Sequence, residues 1–286
     1  MDSESEYIVV GRTNGTTRLG SPYCSLKVKN NEEEFSLAVW DVAPTDPPAV
    51  GQLVSFLRVQ ESDGKRSARK GDLLPGTVAT PEHQLYGLLL RPVAPERWHQ
   101  TIQHLLSFCT QQPLMQLIKE ASEQLLQLYA HYPAAASIHH AYVGGLLTHT
   151  YQMLHMFEGL YPCLPYEVNP EYCIVAILFH DYGKVQTYTP DGDTLPASSL
   201  LGHIYLSAYA LQRELERRAI PVEDIQRIIH VVLAHHGRMD YGSPVLPCNQ
   251  EAFIVSMLDN ISAKTDTLHN ASEGEYLSAL GTRVVK

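Results

Sequence analysis

His180 and Asp181 stand side by side at the end of an apolar run, Ile174 to Phe179, and directly before Tyr182-Gly183-Lys184. A helix that ends here would present an imidazole and a carboxylate together at the edge of the core. One His-Asp pair arises easily by chance, so the prediction depends on further polar residues in apolar, helix-like segments. These are His149, His203, His235, His236 and Asp259. The whole set has the composition of a metal centre.

These residue types suit two divalent cations. A carboxylate has two oxygens and can bridge two cations, whereas a neutral imidazole offers one lone pair to one ion. A first cation would be held by His149, His180, Asp181 and Asp259, and a second by Asp181, His203 and a histidine of the 235–236 pair. Two cations ~3.5–4 Å apart activate water and stabilise both oxygens of a displacement at phosphorus. Hydrolysis of a phosphate ester is therefore the predicted chemistry, with Asp181 at its centre.

The other histidines need a separate interpretation, because a lone histidine on an apolar helix is usually a packed residue. His139 and His140 precede His149 and are expected to be structural or to position the ligands. The chain has 14 histidines, and the remaining ones are not expected to bind metal: His83, His99, His104, His131, His155, His230 and His269.

Five strings connect the chain to a known family. They are HHAYVGGLLTHT at 139–150, LFHDYGK at 178–184, LLGHI at 200–204, AHHGRMDYGSP at 234–244 and LDNISAK at 258–264. In these strings the chain resembles the HD-domain superfamily, and more narrowly the bacterial YhaM-type 3′-to-5′ exoribonucleases, which join an OB-fold to an HD phosphohydrolase domain. The resemblance implies a manganese-dependent, cytoplasmic enzyme that acts on single-stranded RNA, with DNA as a further substrate. The ligand types alone also accept iron, cobalt, nickel and zinc.

Further site residues follow the His-Asp pair and the later histidines. Lys184, three residues after Asp181, is expected to act in catalysis by neutralising charge on the phosphoryl oxygens. By resemblance, Arg238, Tyr241 and Ser243 in the loop after the histidine pair are expected to contact the terminal nucleotide.

Residues 1–92 are predicted to form a small, OB-fold-like β-barrel that binds nucleic acid. Short strands are expected at Tyr7–Val10, Ser25–Lys29, Phe35–Trp40 and Val50–Val59, with turns at Asn14-Gly15, Asn30-Asn31 and Asp46-Pro47-Pro48. The segment 21–41 resembles the paired strands of OB-folds whose aromatic residues stack on bases. Of Tyr23, Phe35, Trp40 and Phe56, the two expected to contact bases are Tyr23 and Trp40. Period-two aromatics more often belong to a core.

A basic run lies in the same region. Lys65, Arg66, Arg69 and Lys70 place four positive charges in six residues, which are expected to form a phosphate-binding loop. The alternative is an ordinary solvated loop. A net charge of −10 argues against a nucleic-acid ligand, but several of the carboxylates would neutralise bound cations.

Residues 93–286 are predicted to form an all-α HD domain, so the fold class is a two-domain α+β protein. Apolar stripes at helical spacing run through 98–109 and 114–128. Helix starts are expected at Asn169-Pro170, Pro221-Val222 and Asn249-Gln250. Five cysteines without a Cys-x-x-Cys pair indicate reduced thiols. The sequence has no apolar stretch of membrane-spanning length, and its acidic start differs from a secretory signal.

Three classes of function remain open. The leading one is an exonuclease that shortens single strands from the 3′ end. The second is an HD-domain phosphohydrolase acting on a small nucleotide, cyclic dinucleotide or alarmone, and the third is a binding module with an inactive catalytic half. The third is disfavoured because no ligand position is missing. An iron oxygenase on the same scaffold is a further alternative, against which Lys184 and the OB-like region argue. Homo-oligomerisation is left open.

Overall fold

The computed structural model describes residues 5–17, 20–42, 48, 50–62, 64–79, 83–88, 93–135, 139–190, 192–271, 273–277 and 280–286. The chain divides into two compact units, Met1–Arg91 and Pro92–Lys286. The first consists of β-strands and the second mainly of helices, which confirms the predicted fold class. Within the described ranges, no helix is both long enough and apolar enough to cross a membrane.

Seven strands form one curled sheet in the first unit. They are β1 (Tyr7–Thr16), β2 (Pro22–Lys29), β3 (Glu34–Trp40), β4 (Gln52–Phe56), β5 (Gln60–Ser62), β6 (Lys65–Arg69) and β7 (Leu73–Val78). The strand order is β5-β6-β3-β2-β1-β4-β7. Neighbouring strands are antiparallel except β3 and β6, which are parallel. The sheet is an OB-like half-barrel.

Buried and less buried side chains alternate along β2 and β3, because successive side chains of a strand point to opposite faces of the sheet. The buried side chains are Cys24, Leu26, Val28, Leu37 and Val39, which form part of the core. Tyr23 and Trp40 therefore lie on the opposite, outer face of the sheet. Trp40 is 38% exposed.

Two turn or loop predictions in this unit are wrong. Gly15 lies inside β1, which stays paired with β2 as far as Thr16 and Pro22; strand pairing overrides the local turn preference of Asn-Gly. Residues 65–69 form β6 instead of a loop. This strand pairs with β3 and β5, and its Ala68 is buried while Lys65 and Arg69 are exposed.

The predicted turn at Asn30-Asn31 is confirmed. The Asn30 side-chain oxygen accepts hydrogen bonds from the backbone N–H groups of Glu32 and Glu33, at 2.9 and 2.8 Å. This side chain stabilises the turn between β2 and β3. The expected turn at Asp46-Pro47 lies outside the described residues.

Nine α-helices are described in the second unit. They are α1 (Pro95–Leu106), α2 (Gln112–Tyr129), α3 (Gly145–Leu160), α4 (Pro170–Phe179), α5 (Lys184–Thr187), α6 (Pro196–Leu200), α7 (His203–Arg217), α8 (Val222–Leu233) and α9 (Gln250–Asn270). A short hairpin, β8 (Tyr276–Leu277) with β9 (Thr282–Arg283), follows them. The hairpin is an addition to the all-α prediction.

Helix α4 lies at the centre of this unit. All ten of its residues are buried, and it packs against α2, α8 and α9. Its apolar run from Cys173 to Phe179 is typical of a helix that is buried on every side. The Asn169 side chain caps its start by accepting from the Tyr172 backbone N–H at 3.1 Å, as predicted from Asn169-Pro170.

The apolar stripes of the sequence form the surrounding core. Trp98 of α1 is completely buried, and its indole N–H donates to the Ser122 carbonyl oxygen at 3.2 Å. Helix α9 begins after Asn249, whose side chain accepts from the Ala252 backbone N–H at 2.8 Å. The predicted helix starts are thus confirmed at α4 and α9, and α8 begins at Val222 as expected.

Candidate metal centre and nucleic-acid surface

The predicted metal ligands come together from five segments of the helical unit. His149 lies in α3 and Asp259 in α9, whereas His203 is the first residue of α7. The adjacent pairs stand directly after helix ends: His180 and Asp181 follow α4, and His235 and His236 follow α8. Helix ends therefore present most of these side chains to one point.

Asp181 occupies the middle of the cluster, with its two oxygens turned to different neighbours. Its Oδ2 lies 3.2 Å from His180 Nε2 and 3.8 Å from His149 Nε2. Its Oδ1 lies 3.5 Å from His203 Nε2 and 3.8 Å from His235 Nε2. The carboxylate therefore separates two groups of histidines, as a bridging ligand does.

Each group contains enough ligand atoms for a cation. In the first group, the ligand atoms of His149, His180 and Asp259 all lie within 4.8 Å of one another. His149 Nε2 is 3.0 Å from Asp259 Oδ1 and 3.1 Å from His180 Nε2. His203, His235 and His236 form the second group at the same spacing.

Unpartnered atoms in the cluster fit divalent cations. Asp181 Oδ1, His203 Nε2 and His235 Nε2 are buried, and the described residues offer none of them a hydrogen-bond partner. A buried polar atom without a partner costs about 1–3 kcal/mol. A cation that accepts these lone pairs removes that cost, so the donor set fits a divalent metal.

Backbone carbonyls fix the orientation of three rings. Nδ1 of His180 lies 2.8 Å from the Ile177 oxygen, and Nδ1 of His235 lies 2.6 Å from the Val232 oxygen. His236 Nδ1 is 2.7 Å from the Tyr241 carbonyl oxygen. Because a carbonyl oxygen only accepts, Nδ1 carries a proton, and in the neutral ring Nε2 keeps its lone pair. Such outer contacts orient metal-binding histidines.

Charges and burial favour the protonation states that a metal requires. Burial, together with the charge of Lys184, lowers the pKa of His203 to about 3, and burial holds the pKa of His235 well below its usual range. Burial alone would raise the pKa of Asp181, but Lys184 and His180 outweigh it and keep that pKa well below its ordinary value. The imidazoles of His203 and His235 are therefore neutral, and the carboxylate of Asp181 is ionised.

The pKa of His180 moves in the opposite direction. Burial acts to lower it, yet the charges of Asp181 and Asp259 outweigh burial and raise the pKa of this imidazole. A metal that binds at His180 therefore competes with a proton, which couples metal affinity to pH.

A hydrogen-bond chain supports His149 from behind. Its Nδ1 lies 2.9 Å from Ser262 Oγ, and the Ser262 hydroxyl donates to Gln152 Oε1 at 2.7 Å. The serine oxygen thus accepts the Nδ1 proton, and Nε2 of His149 faces the centre. His140 Nε2 lies 3.1 Å from the same Gln152 oxygen, while the His140 backbone N–H donates to Asp266 at 2.6 Å.

Lys184 lies against the central carboxylate. Its Nζ donates to Asp181 Oδ2 at 2.6 Å, and the residue is almost completely buried. Gly183, just before it, lies so close to α7 that a Cβ there would overlap the His203 carbonyl oxygen. Glycine at this position therefore lets His203 approach Asp181. The predicted action of Lys184 on a substrate phosphate stays a prediction.

A cavity of about 310 Å³ adjoins the metal centre. Lys184, His236 and Asp259 line it on the side of the ligands, and His139 contributes to the same wall. Burial lowers the pKa of His139 to about 2, so this ring is neutral at physiological pH. The arrangement gives an open space next to the cluster in which a substrate can lie.

The residues of the loop after the histidine pair differ in their positions. Tyr241 lines the cavity. Arg238 is exposed, pairs with Asp240 at 2.8 Å, and lies with its guanidinium 5.2 Å from the Tyr241 ring centre. Arg238 does not line the cavity, and Ser243 is buried. The predicted nucleotide contacts of this loop stay predictions.

The sheet unit carries a row of residues across four strands on its outer face. Gly15 of β1 is opposite Tyr23, Tyr23 is opposite Trp40, and Trp40 is opposite Arg69 of β6. The rings of Tyr23 and Trp40 have their centres 5.2 Å apart at an angle of 45°. A Cβ at Gly15 would overlap the Tyr23 ring, so this ring packs directly on the backbone of Gly15. We call Gly15, Tyr23, Trp40 and Arg69 the aromatic row.

The other candidate residues of this unit lie in different surroundings. Arg66 contacts Glu33 at 3.1 Å and Glu61 at 3.5 Å, and its guanidinium lies 4.3 Å from the Phe35 ring centre. Phe35 and Phe56 both pack on Tyr7, as expected for core aromatics. Lys65 and Lys70 are exposed. The structure therefore groups Tyr23, Trp40 and Arg69, and separates Arg66 from them.

Sequence reasoning missed three contributors. Ser262 and Gln152 support His149, and Lys264 lines the cavity. Ser262 and Lys264 both fall within the LDNISAK string, so that string contained a signal. Gln152 stands three residues after His149, which is helical spacing, but a glutamine in a helix carries no specific signal.

Comparison with known proteins identifies the helical region. The HD domain family matches residues 146–264. The 3′-5′ exoribonuclease YhaM of Bacillus velezensis is 25% identical over 94% of this chain and 88% of the relative. The protein of that name from a Geobacillus species is 28% identical over 91% and 82%, and that of Bacillus subtilis is 25% identical over 95% and 89%.

No solved structure matches the chain. The family match spans α3 to most of α9 and includes every predicted metal ligand. Residues 146–264 therefore form an HD domain, and the chain is similar along almost its whole length to the YhaM 3′-5′ exoribonucleases.

Proposed function

We propose that the chain is a metal-dependent 3′-5′ exoribonuclease that hydrolyses phosphodiester bonds of single-stranded RNA. The observation that carries the proposal is the central position of Asp181, whose two oxygens face two groups of histidines inside an HD domain. The similarity to YhaM exoribonucleases over 94% of the chain supports the substrate class.

The residues have separate roles in this proposal. Asp181 would be shared by two cation sites, one completed by His149, His180 and Asp259, and the other by His203 with His235 or His236. Divalent cations bound here supply an activated water and neutralise charge on the scissile phosphate. Ser262 and the carbonyl oxygens behind the rings keep Nε2 of each imidazole turned toward the centre.

Lys184 adds a positive charge at the wall between the centre and the cavity. Its ammonium shares Asp181 Oδ2 with the histidines of the first site. A substrate phosphate that reaches the centre meets this charge in a buried environment, where electrostatic stabilisation is strong. We infer that Lys184 stabilises the charge that develops on the phosphoryl oxygens.

The sheet unit provides the nucleic-acid surface in the proposal. Stacking on Tyr23 and Trp40 tolerates any base, and Arg69 in the same row supplies a cation for the phosphate backbone. Lys65 and Lys70 extend the positive charge of this unit. Manganese as the native cation, single-stranded DNA as a second substrate and a cytoplasmic location belong to the proposal as well.

The test is an incubation of the manganese-loaded protein with single-stranded RNA labelled at its 5′ end. Stepwise shortening from the 3′ end is expected, and a chelator abolishes it. Asp181→Asn, purified in parallel, excludes a contaminating nuclease because it changes one buried oxygen to an amide. Intact RNA after prolonged incubation with several divalent metals contradicts the proposal.

The cavity supports a second candidate. A space of about 310 Å³ beside the centre has a size that suits a single nucleotide. An HD-domain phosphohydrolase acting on a small nucleotide, cyclic dinucleotide or alarmone is therefore the alternative. Release of phosphate or of a linear nucleotide from such compounds, with RNA left intact, selects it.

A further inference from the structure

Helix α7 presents two tyrosines and an arginine on its outer side. Tyr205, Tyr209 and Arg213 follow at intervals of four residues, so their side chains lie on one side of the helix. Tyr205 is 52% exposed and Tyr209 is 51% exposed, and Arg213 is exposed as well. The buried residues of α7 belong to the other side of the helix. We call Tyr205, Tyr209 and Arg213 the α7 face.

The two tyrosine rings of this face are stacked. Their centres lie 6.1 Å apart, and their planes differ by 15°. The Arg213 guanidinium donates to the Tyr209 hydroxyl oxygen at 3.5 Å, which places a cation at one end of the stack. Every nucleobase has a flat π-face, so exposed aromatic rings can stack on any base of a single strand.

The charge around the α7 face suits a polyanion. Residues 194–213 contain no aspartate or glutamate, although the whole chain has 31 of them in 286 residues. The acidic residues of α7, Glu214 and Glu216, come in its last turn. Within the described ranges, Arg213 has no ion-pair partner. A phosphate can therefore contact Arg213 without displacing a carboxylate.

The helix that carries this face begins at the metal centre. His203 is the first residue of α7, and its Nε2 lies 3.5 Å from Asp181 Oδ1. Tyr205 belongs to the same turn. With a rise of ~1.5 Å per residue, Arg213 lies ~15 Å further along the helix axis than His203. An RNA strand with its end at the metal ligands can therefore reach this face with its next nucleotides.

We propose that the α7 face is a second surface for single-stranded RNA, which binds nucleotides on the 5′ side of the end that is hydrolysed. Tyr205 and Tyr209 stack on bases, and Arg213 pairs with a phosphate of the backbone. This inference rests on the proposed function, and it extends the substrate contacts from the metal centre to the outside of the helical unit. These contacts recognise base planes and phosphates, so they tolerate any base sequence.

The test measures binding of a labelled oligouridine of about ten nucleotides to the full-length protein by fluorescence anisotropy. A chelator is present, so that the strand stays intact. Tyr205→Ala and Tyr209→Ala should each raise Kd roughly fivefold or more, the effect of losing one stacked base. Tyr205→Phe and Tyr209→Phe keep the rings and should stay within about twofold of wild type.

Arg213→Ala should act through its charge. It should reduce the slope of log K against log salt by about 0.7, the value for one phosphate contact of a single strand, whereas Arg213→Lys should keep the slope. In the presence of manganese, KM for the strand should rise in Tyr205→Ala, Tyr209→Ala and Arg213→Ala. Their kcat should change little, because the α7 face does not touch the reacting phosphate.

Tyr166→Ala and Arg97→Ala are the matched controls. Tyr166 lies between α3 and α4 and is 52% exposed, as Tyr205 is, and Arg97 is an exposed residue of α1. Both variants should bind the strand like wild type. Unchanged affinity in Tyr205→Ala, Tyr209→Ala and Arg213→Ala overturns the inference, and so does an equal loss of affinity in the control variants.

A second copy of the chain is the alternative occupant of the α7 face. Leu200 and Leu201, directly before α7 in the chain, are 79% and 52% exposed and suit a protein contact. Light scattering gives the molar mass of wild type and of the variants. A lower mass in Tyr205→Ala and Tyr209→Ala, together with unchanged strand affinity, assigns the face to self-association and overturns the inference.

Hydrolysis of RNA separates this inference from the proposed function. If wild type shortens RNA from the 3′ end while the α7 variants bind and act like wild type, the exonuclease proposal stands and the inference fails. If strand binding follows the expected pattern but RNA stays intact with manganese, the proposed function fails and the α7 face remains a binding surface for single strands.

Discussion

The metal centre and the aromatic row place functional candidates in opposite environments. In the metal centre, His149, His180 and Asp181 are buried, and hydrogen bonds behind the rings set their orientation. In the aromatic row, Trp40 and Arg69 are exposed, and only strand register and ring contact bring them together. A buried polar group needs a partner, whereas an exposed one is satisfied by water. The buried polar groups of the metal centre therefore indicate a bound partner more strongly than the exposed residues of the aromatic row do.

The largest expected effect comes from Asp181→Ala. Loss of the carboxylate that is proposed to bridge the two cations should lower hydrolysis of any phosphodiester by about 10³-fold or more. It also leaves Lys184 buried without its partner, and breaking such a pair costs about 3–5 kcal/mol. Activity and thermal unfolding are measured together.

Asp181→Asn controls for folding because an amide oxygen can still accept from Lys184. This variant should unfold near the wild-type temperature and still be inactive. Wild-type turnover by either variant would place the metal centre elsewhere in the chain.

Lys184→Ala is the second prediction. Removal of one electrostatic stabiliser should lower kcat by roughly 10²–10³, since the Lys184 ammonium lies at the wall of the cavity. Metal content, determined by elemental analysis, should remain as in wild type. Lys184→Arg restores the charge and should recover part of the rate. Loss of metal together with the lysine would instead assign Lys184 a structural role through Asp181.

The third prediction concerns the support of His149. Ser262→Ala removes the acceptor of the Nδ1 proton, and losing such a contact typically weakens metal affinity by about 10–100-fold. Ser256→Ala is the matched control: Ser256 is another buried serine of α9, and its hydroxyl donates to the Phe253 carbonyl oxygen. Metal affinity is measured by competition with a chelator. Equal affinity in both variants would refute the support role.

The smallest effect is expected from a substitution in the sheet unit, Arg69→Ala. Arg69→Ala should weaken binding of long single strands and reduce the slope of log K against log salt by about 0.7, the value for one phosphate contact. Arg66→Ala is the control, because Arg66 is already paired with Glu33 and Glu61. A dinucleotide substrate should not distinguish the two variants. The same slope for wild type and Arg69→Ala would remove Arg69 from the nucleic-acid surface.

The sequence predicted the helical unit well because its signals are strong. Apolar stripes marked α1 and α2, and the Asn-Pro and Asn-Gln starts marked α4 and α9. Polar residues within or at the ends of apolar runs marked the candidate ligands that the structure brings together. Ser262 and Gln152 could not be predicted in the same way, because their roles depend on contacts between α3 and α9.

Prediction was weaker in the sheet unit, where long-range pairing decides the structure. The basic run at 65–69 contains only one buried residue, Ala68, so its pattern gave no sign of a central strand pairing with β3 and β5. Asn14-Gly15 has the preference of a turn, yet β2 holds this segment in β1. The aromatic row depends on the pairing register between neighbouring strands, and the sequence of a single strand does not specify that register.

The two tryptophans divide between the two units. Trp40 is 38% exposed in the aromatic row, while Trp98 is fully buried in the helical core. An indole in contact with water emits at longer wavelength than an indole in an apolar core, so each unit has its own intrinsic fluorescence signal. Bases that stack on Trp40, as proposed, would quench the long-wavelength emission, and loss of the helical core would shift the emission of Trp98. One unlabelled sample would thus report strand binding and the integrity of the helical core at the same time.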